Sequence, residues 1–236
     1  MNSTQKILLP GGKEQFSHLK KTVDLTGKNV LVLGSNSEQI AKLFLIEGVN
    51  SCKIIIDDYD SMLNSRLQLD NPEIKVKFMG FEHTDFDNHS FDLVYSQGGI
   101  SNPSRNKIVK EIKRILKPGG VFSVGEVVSL ISHSPKFVSD IWDANNLLPL
   151  EKDEQEEFYS SRGFEVVSIK DVSHTLENYY RLSKLMLEEK IDGLSDKEKS
   201  YNKKLINRIK HESNVYLKLG GKKFMGFFSI ILRKEL

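Results

Sequence analysis

With 236 residues, 39% hydrophobic and 28% charged, the chain can bury one sizeable core, as single α/β domains of this length do. A net charge of +2 is too small to argue for nucleic acid or a charged membrane surface, and a single cysteine, Cys52, excludes an internal disulfide framework. Neither a signal peptide nor a membrane-length apolar run stands out, so a cytoplasmic protein with no membrane span is expected.

Residues 1–10 read as a frayed start from which Leu8 and Leu9 can dock on the body. Residues 13–24 form a weak amphipathic helix with Phe16, Leu19 and Val23 on one face. The Val- and Leu-rich run 29–33 reads as a strand buried on both faces, followed by a sharp turn at Gly34. Ser35 and Glu38 stand at capping-box spacing, and Ile40, Leu43 and Phe44 continue a helix over 37–47 that Gly48 stops. A strand feeding a helix through a glycine turn aims backbone N–H groups at one edge of the sheet, where a ligand with negative charge is favoured. One glycine is also what any such turn can carry.

Residues 53–57 form a second buried strand ending in Asp57 and Asp58. This acidic pair follows the glycine turn by roughly 20 residues, where dinucleotide-type folds place a ribose-binding carboxylate. Either residue can instead cap the next helix, 59–69, so the pair offers one side chain for each task. A shorter strand (74–79), a polar acidic loop (80–90) and a fourth strand (91–96) follow, the last leading into Gln97-Gly-Gly-Ile100. A helix over 104–116 ends in Lys117-Pro-Gly-Gly120, and 121–128 is the fifth strand. Strands alternating with helices in this way imply a parallel sheet covered on both faces, with its ligand crevice at the carboxyl ends of the first strands.

The second half changes character. Residues 129–150 look irregular and carry Trp142; 152–161 is a polar helix and 164–170 a strand. Two helical patterns rich in Lys and Glu, 176–190 and 196–212, precede a closing strand, 224–232, expected beside 164–170. An insertion of that size between neighbouring strands is usually a lid or binding element. The six histidines are dispersed, and no ligand spacing suggests a metal.

Ser90-Phe-Asp-Leu-Val-Tyr-Ser96, followed by Ile112-Lys-Arg-Ile-Leu-Lys-Pro-Gly-Gly-Val-Phe-Ser-Val124, resembles the class I S-adenosylmethionine-dependent methyltransferases. Members carry an "S-F-D-x-V" strand, a helix and then "R-x-L-K-P-G-G" in this order. The likeness is greatest to small-molecule enzymes similar to those of quinone biosynthesis and arsenite methylation. Leu8-Leu-Pro-Gly-Gly12 also resembles an entry segment of some of these enzymes. The resemblance implies a Rossmann-like, doubly wound α/β sheet of seven strands, order 3-2-1-4-5-7-6 with the last antiparallel, and a helical insertion between the last two. It divides a single domain into an N-terminal helical segment (1–28), a cofactor-binding core (29–175), a helical cap (176–222) and a closing strand (223–236).

The implied cofactor is S-adenosyl-L-methionine, held by Gly34, Ser35, Asn36, Asp57, Asp58, Glu82, Ser96 and Gln97, with Asp57 on the family's ribose position. The chain departs from the family in three places. Val32 takes an acidic position and Ser35-Asn36-Ser37 replaces later glycines, although Asn tolerates a left-handed backbone. Gly80-Phe81-Glu82 replaces a "G-D" pair that reaches the adenine, leaving Glu82 as the substitute. Gln97-Gly98-Gly99 replaces a variable segment, and the "N-P-P-Y/W" motif of enzymes that methylate nucleobases is absent.

Methyl transfer from a sulfonium needs positioning and desolvation more than a catalytic side chain, so no catalytic residue is assigned. Gln97, His133, Trp142, His174, Tyr179 and Tyr180 are the acceptor-side candidates, because each follows a strand on the cofactor side. The aromatic ones equally fit plain helix core. The expected activity is methyl transfer to a small-molecule acceptor. The alternative is a catalytically degenerate relative that binds a metabolite or protein partner, which the altered glycine loop favours. A nicotinamide dehydrogenase fits less well, because the full G-x-G-x-x-G spacing is missing.

Overall fold

The computed structural model describes residues 7–69 and 71–236; most of the frayed start expected over residues 1–10 lies outside them. In chain order the elements are α1 (Glu14–Thr22), β1 (Asn29–Leu33), α2 (Glu38–Ile46), β2 (Ser51–Ile56), α3 (Tyr59–Gln68), β3 (Ile74–Phe78) and β4 (Phe91–Gln97). Then come α4 (Arg105–Ile115), β5 (Leu116–Ser129), α5 (Lys136–Ala144), β6 (Leu150–Glu151), α6 (Gln155–Ser160) and β7 (Phe164–Asp171). The chain closes with α7 (Thr175–Asp192), α8 (Asp196–Tyr201), α9 (Lys203–Lys218), a 3-10 turn (Gly221–Lys223) and β8 (Met225–Lys234).

The strands form one sheet in the order β3-β2-β1-β4-β5-β8-β7. β8 lies between β5 and β7 and runs antiparallel to both, while the other strands on that path pair in parallel. This is the expected path with one strand more than the seven anticipated. The two-residue β6 pairs off it, beside the end of β5.

The apolar run of β1 has a direct reason. Alternate side chains of a strand face opposite ways, and both faces are covered. Val30 and Val32 pack with Phe16, Ile40, Phe44 and Ile54 on one face. Leu31 and Leu33 pack with Ile55, Ile108, Ile112 and Phe122 on the other. Cys52 is buried in the first of these clusters, and burial raises its thiol pKa to about 12. A third cluster joins Trp142, Leu176, Tyr180, Val215, Tyr216 and Phe227 beneath α5, α7 and α9.

Four local features differ from the sequence reading. The Ser35–Glu38 capping box does not form: α2 starts at Glu38 after Ser37, whose hydroxyl turns back to donate to the Gly34 carbonyl (2.8 Å). Residues 117–120 belong to β5, because Phe91 pairs with Leu116 and Leu93 with Val121, which leaves the Pro-Gly-Gly run as a bulge. The stretch 129–150 contains α5, which buries Val138, Ile141 and Trp142 at helical spacing. The second helix of the insertion breaks at Asn202, whose amide donates to the Glu198 carbonyl (3.0 Å), giving α8 and α9.

Beneath the carboxyl ends of β4 and β5 lies a buried polar hub. Glu126 of β5 is fully buried, with Arg105 Nε at 3.0 Å and the Tyr159 hydroxyl donating to it at 2.5 Å. Ser101 donates to its other oxygen, and Arg105 also donates to the Leu148 carbonyl (2.6 Å). The hub ties the loop after β4 to α4, α6 and the segment before β6. Among the described residues no helix is long and apolar enough to cross a membrane.

Candidate active site

At the carboxyl edge of β1, β2 and β4 lies a cavity of about 360 Å³. Its floor is the turn Gly34-Ser35-Asn36, with Asp57 at one side, Phe81 at another, and Gln97, Gly98 and Gly99 opposite. Tyr179, Tyr180 and Leu176 of α7 close it from above, with Glu212 of α9, Asn145 and Leu147 beside them.

The floor follows from backbone conformation. Gly34 has φ +110 and an added Cβ would meet nothing within 4 Å, so the peptide is open to close approach. Asn36 takes φ +59, one of few non-glycine residues here in the left-handed region. Asp57 follows β2 directly and opens to the cavity. Desolvation raises its carboxyl pKa and the neighbouring Asp58 charge adds to this, against a bond to its own backbone N–H.

Asp58 is occupied elsewhere. Its carboxylate caps α3, accepting from the Ser61 N–H at 2.7 Å, and those bonds hold its pKa down. The acidic pair therefore divides as its sequence position allowed, with Asp57 on the cavity and Asp58 on the helix.

Gln97 lines the cavity, but its amide is committed. Its Nε2 donates to the carbonyls of Pro10 (2.7 Å) and Gly12 (2.8 Å), and its Oε1 accepts from the Tyr95 hydroxyl (2.7 Å). This clamp brings Leu8, Leu9 and Pro10 into the wall. Pro10 comes so near that a Cβ on Gly98, at φ +74, would lie 2.9 Å from its ring.

The other expected residues lie off the wall. Glu82 is exposed and faces Lys107 (3.6 Å) across the loop; a Ser104 hydrogen bond lowers its pKa. Phe81, one residue earlier, is the buried residue that lines the cavity instead. Ser96 is fully buried under the sheet edge, its carbonyl accepting from Gln15 (2.9 Å). His133 is exposed in the turn after β5. Trp142 is buried in the cluster beneath the cap. His174 bonds Glu14 of α1 (2.7 Å), pinning the start of α7 to the N-terminal helix.

Residues 31–124 match a family described as a methyltransferase domain. That match covers less than half of the chain, and the sheet order β3-β2-β1-β4-β5-β8-β7 around it is similar to that of class I S-adenosylmethionine-dependent methyltransferases. It is 32% identical over 110 residues to a sterol 24-C-methyltransferase of Schizosaccharomyces pombe, covering 46% of this chain and 24% of that one. It is 24% identical over 183 residues to a sarcosine/dimethylglycine N-methyltransferase of Halorhodospira halochloris, covering 75% and 63%. The structure of a phosphoethanolamine N-methyltransferase of Haemonchus contortus, solved with phosphomonomethylethanolamine and S-adenosylhomocysteine, superposes with a TM-score of 0.76 at 13% identity, covering 97% of this chain and 54% of that one. The chain thus spans less than two thirds of each of these proteins.

Proposed function

We propose that the protein transfers a methyl group from S-adenosyl-L-methionine to a small-molecule acceptor. The observation that carries this reading is the single cavity joining the Gly34–Asn36 turn and Asp57 to the α7 tyrosines. The residues fit the cofactor by their chemistry. The glycine turn is open to close approach although the Gly34 N–H is already given to the Ile55 carbonyl (3.0 Å), Asp57 can accept from ribose hydroxyls, and the buried Phe81 offers an apolar wall for the base. When bound, the cofactor supplies an electrophilic methyl on a sulfonium.

The chain's own part is placement and dryness. The turn and Asp57 orient one reactant, while α7 and α9 cover the cavity and exclude water. Asp58, Glu82 and Ser96 serve this site through the helix cap, the loop and the sheet edge rather than by touching the cofactor. Gln97 serves it by holding Pro10 and Gly12 in the wall. The division into core (29–175) and cap (176–222) follows the same logic, with the cap building the acceptor side. The net charge of +2 and the small cavity favour a cytoplasmic small-molecule enzyme over one acting on nucleic acid. Calorimetric titration with S-adenosyl-L-homocysteine tests the reading: saturable 1:1 binding is expected, and no binding overturns it.

A further inference from the structure

A second cavity, of about 240 Å³, opens between α7 and α9 and shares Asn36, Tyr179, Tyr180 and Glu212 with the first. Its remaining wall is apolar at Met186, Leu187 and Ile209 and polar at Ser183, Ser213 and Lys190, the one lysine that lines it. Glu212 stands where the two meet. One carboxylate oxygen accepts from the Tyr180 hydroxyl (2.9 Å) and the other from the Asn145 amide (3.3 Å). A carboxylate has about four acceptor positions, so two remain for a ligand.

Among the described residues Glu212 forms no ion pair. The positive charges acting on it are those of Arg208 and His211, both exposed on its own helix and reaching it through space. Removal from water nevertheless penalises its charge and raises its pKa, against the bonds from Tyr180 and Asn145. A carboxylate withdrawn from water without a cation is costly, and a ligand that brings one relieves that cost.

The aromatic surroundings point the same way. Tyr179 and Tyr180 meet edge-on with centroids 5.1 Å apart, and Tyr180 stacks on Tyr216 at 4.6 Å. Tyr180 spends one face on Tyr216, so a cation would meet the remaining tyrosine surface at the junction, and aromatic rings attract cations most strongly where water is thin. An anionic acceptor would be repelled by Glu212, and a neutral hydroxyl would gain one ordinary hydrogen bond.

On the methyl-transfer reading, we propose that the acceptor is a small amine, cationic at neutral pH with an apolar body, selected by Glu212 with Tyr179 and Tyr180. The ammonium sits at the junction, towards the turn and Asp57, and the apolar body lies between α7 and α9. At the junction the ammonium passes one proton to the Glu212 carboxylate, so that the nitrogen lone pair can take the methyl as the S–C bond breaks and the neutral thioether leaves. Tyr179 and Tyr180 were legible as acceptor-side candidates; Glu212 was not.

The test uses the full chain and three six-carbon probes that differ in their polar end: hexylamine, 1-hexanol and hexanoate. Binding of each is measured by calorimetry with and without saturating S-adenosyl-L-homocysteine. Hexylamine is expected to bind about tenfold or more tightly than 1-hexanol, with hexanoate weakest. In Glu212→Gln the amine preference is expected to vanish while 1-hexanol and S-adenosyl-L-homocysteine bind as before. Equal binding of amine and alcohol by the unmodified chain overturns the proposal, as does binding of none of the three at millimolar concentration. A loss of S-adenosyl-L-homocysteine affinity in Glu212→Gln also overturns it, by assigning the carboxylate to the cofactor. The cofactor titration of the unmodified chain is read separately, so its failure sinks the methyl-transfer reading and is not mistaken for failure of the amine.

Discussion

The sheet and the α7–α9 cap are built on different terms. Val30, Leu31, Val32, Ile54, Ile55 and Val94 are fully buried, and each strand is locked by its neighbours' backbone. The cap buries a thin seam, Leu176, Tyr180, Val215 and Tyr216, while Leu185, Met186 and Leu205 stay 40–44% exposed. α8 buries no residue and is held by its Ser195–Glu198 capping box. The cavity floor is therefore rigid and its roof is marginal. Binding geometry belongs to the first region, and opening and closing to the second.

The hardest way to break the sheet side is through its polar hub. Arg105→Ala leaves the Glu126 carboxylate buried without its cation, and a cost of about 3–5 kcal/mol is expected. Urea unfolding checks this; a loss under about 1 kcal/mol would mean that the hub admits water and is not part of the rigid floor.

Acid should also attack the sheet side first. Glu111 of α4 accepts from the Thr84 N–H (2.7 Å) and hydroxyl, and from Arg114 (2.6 Å). Burial alone would raise its carboxyl, but the bonds from Arg114 and Thr84 outweigh it and hold the pKa at about 2, against an ordinary 4.5. A carboxyl lowered in the fold stabilises it above the ordinary value, and that contribution drains away as pH falls from 4.5 through about 2. Glu111→Gln should lower stability near neutrality by about 1.5–3 kcal/mol and flatten the acid limb of the stability–pH curve. An unchanged acid limb would locate the acid sensitivity in other carboxylates.

Asp57→Ala probes the floor as a binding surface. It should weaken S-adenosyl-L-homocysteine binding by about 1.5–3 kcal/mol with little change in unfolding, the range for hydrogen bonds to a charged group. An unchanged affinity would remove Asp57 from the cofactor site. Asp58→Ala, by contrast, should cost about 1 kcal/mol of stability through loss of the α3 cap.

The sheet was legible in the sequence because strands buried on both faces announce themselves. The runs at 29–33 and 53–56 are all Val, Leu and Ile apart from Asn29 and Lys53. Asp57 and the Gly34 turn were legible because their spacing to β1 and β2 is fixed by the fold. The cap side was not. Glu212 reads as one more solvated charge in a Lys- and Glu-rich helix, and its position over the cavity depends on how α9 packs on α7. Phe81 lines the cavity where the sequence offers the carboxylate of Glu82, because an aromatic in a polar loop carries no signal of which neighbour turns inward. The clamp by Gln97 joins residues far apart in sequence, which no local pattern encodes.

The smallest effect is expected in the roof, and it sharpens the comparison most. Leu185→Ser on α7 should change global stability by less than about 0.5 kcal/mol, since the side chain is 44% exposed. Its amides should tell more. Without ligand, those of α7, α8 and α9 should exchange faster than those of β1, because the seam beneath them is thin. With S-adenosyl-L-homocysteine and hexylamine together, α7 and α9 should slow while β1 stays as it was, since Tyr179, Tyr180 and Glu212 then hold a ligand between the helices. In Leu185→Ser the unliganded roof should exchange faster still, and ligand should recover the slow rate. A roof whose exchange ignores both ligands but changes with protein concentration would be an interface between copies of the chain, and the cover role would have to be given up.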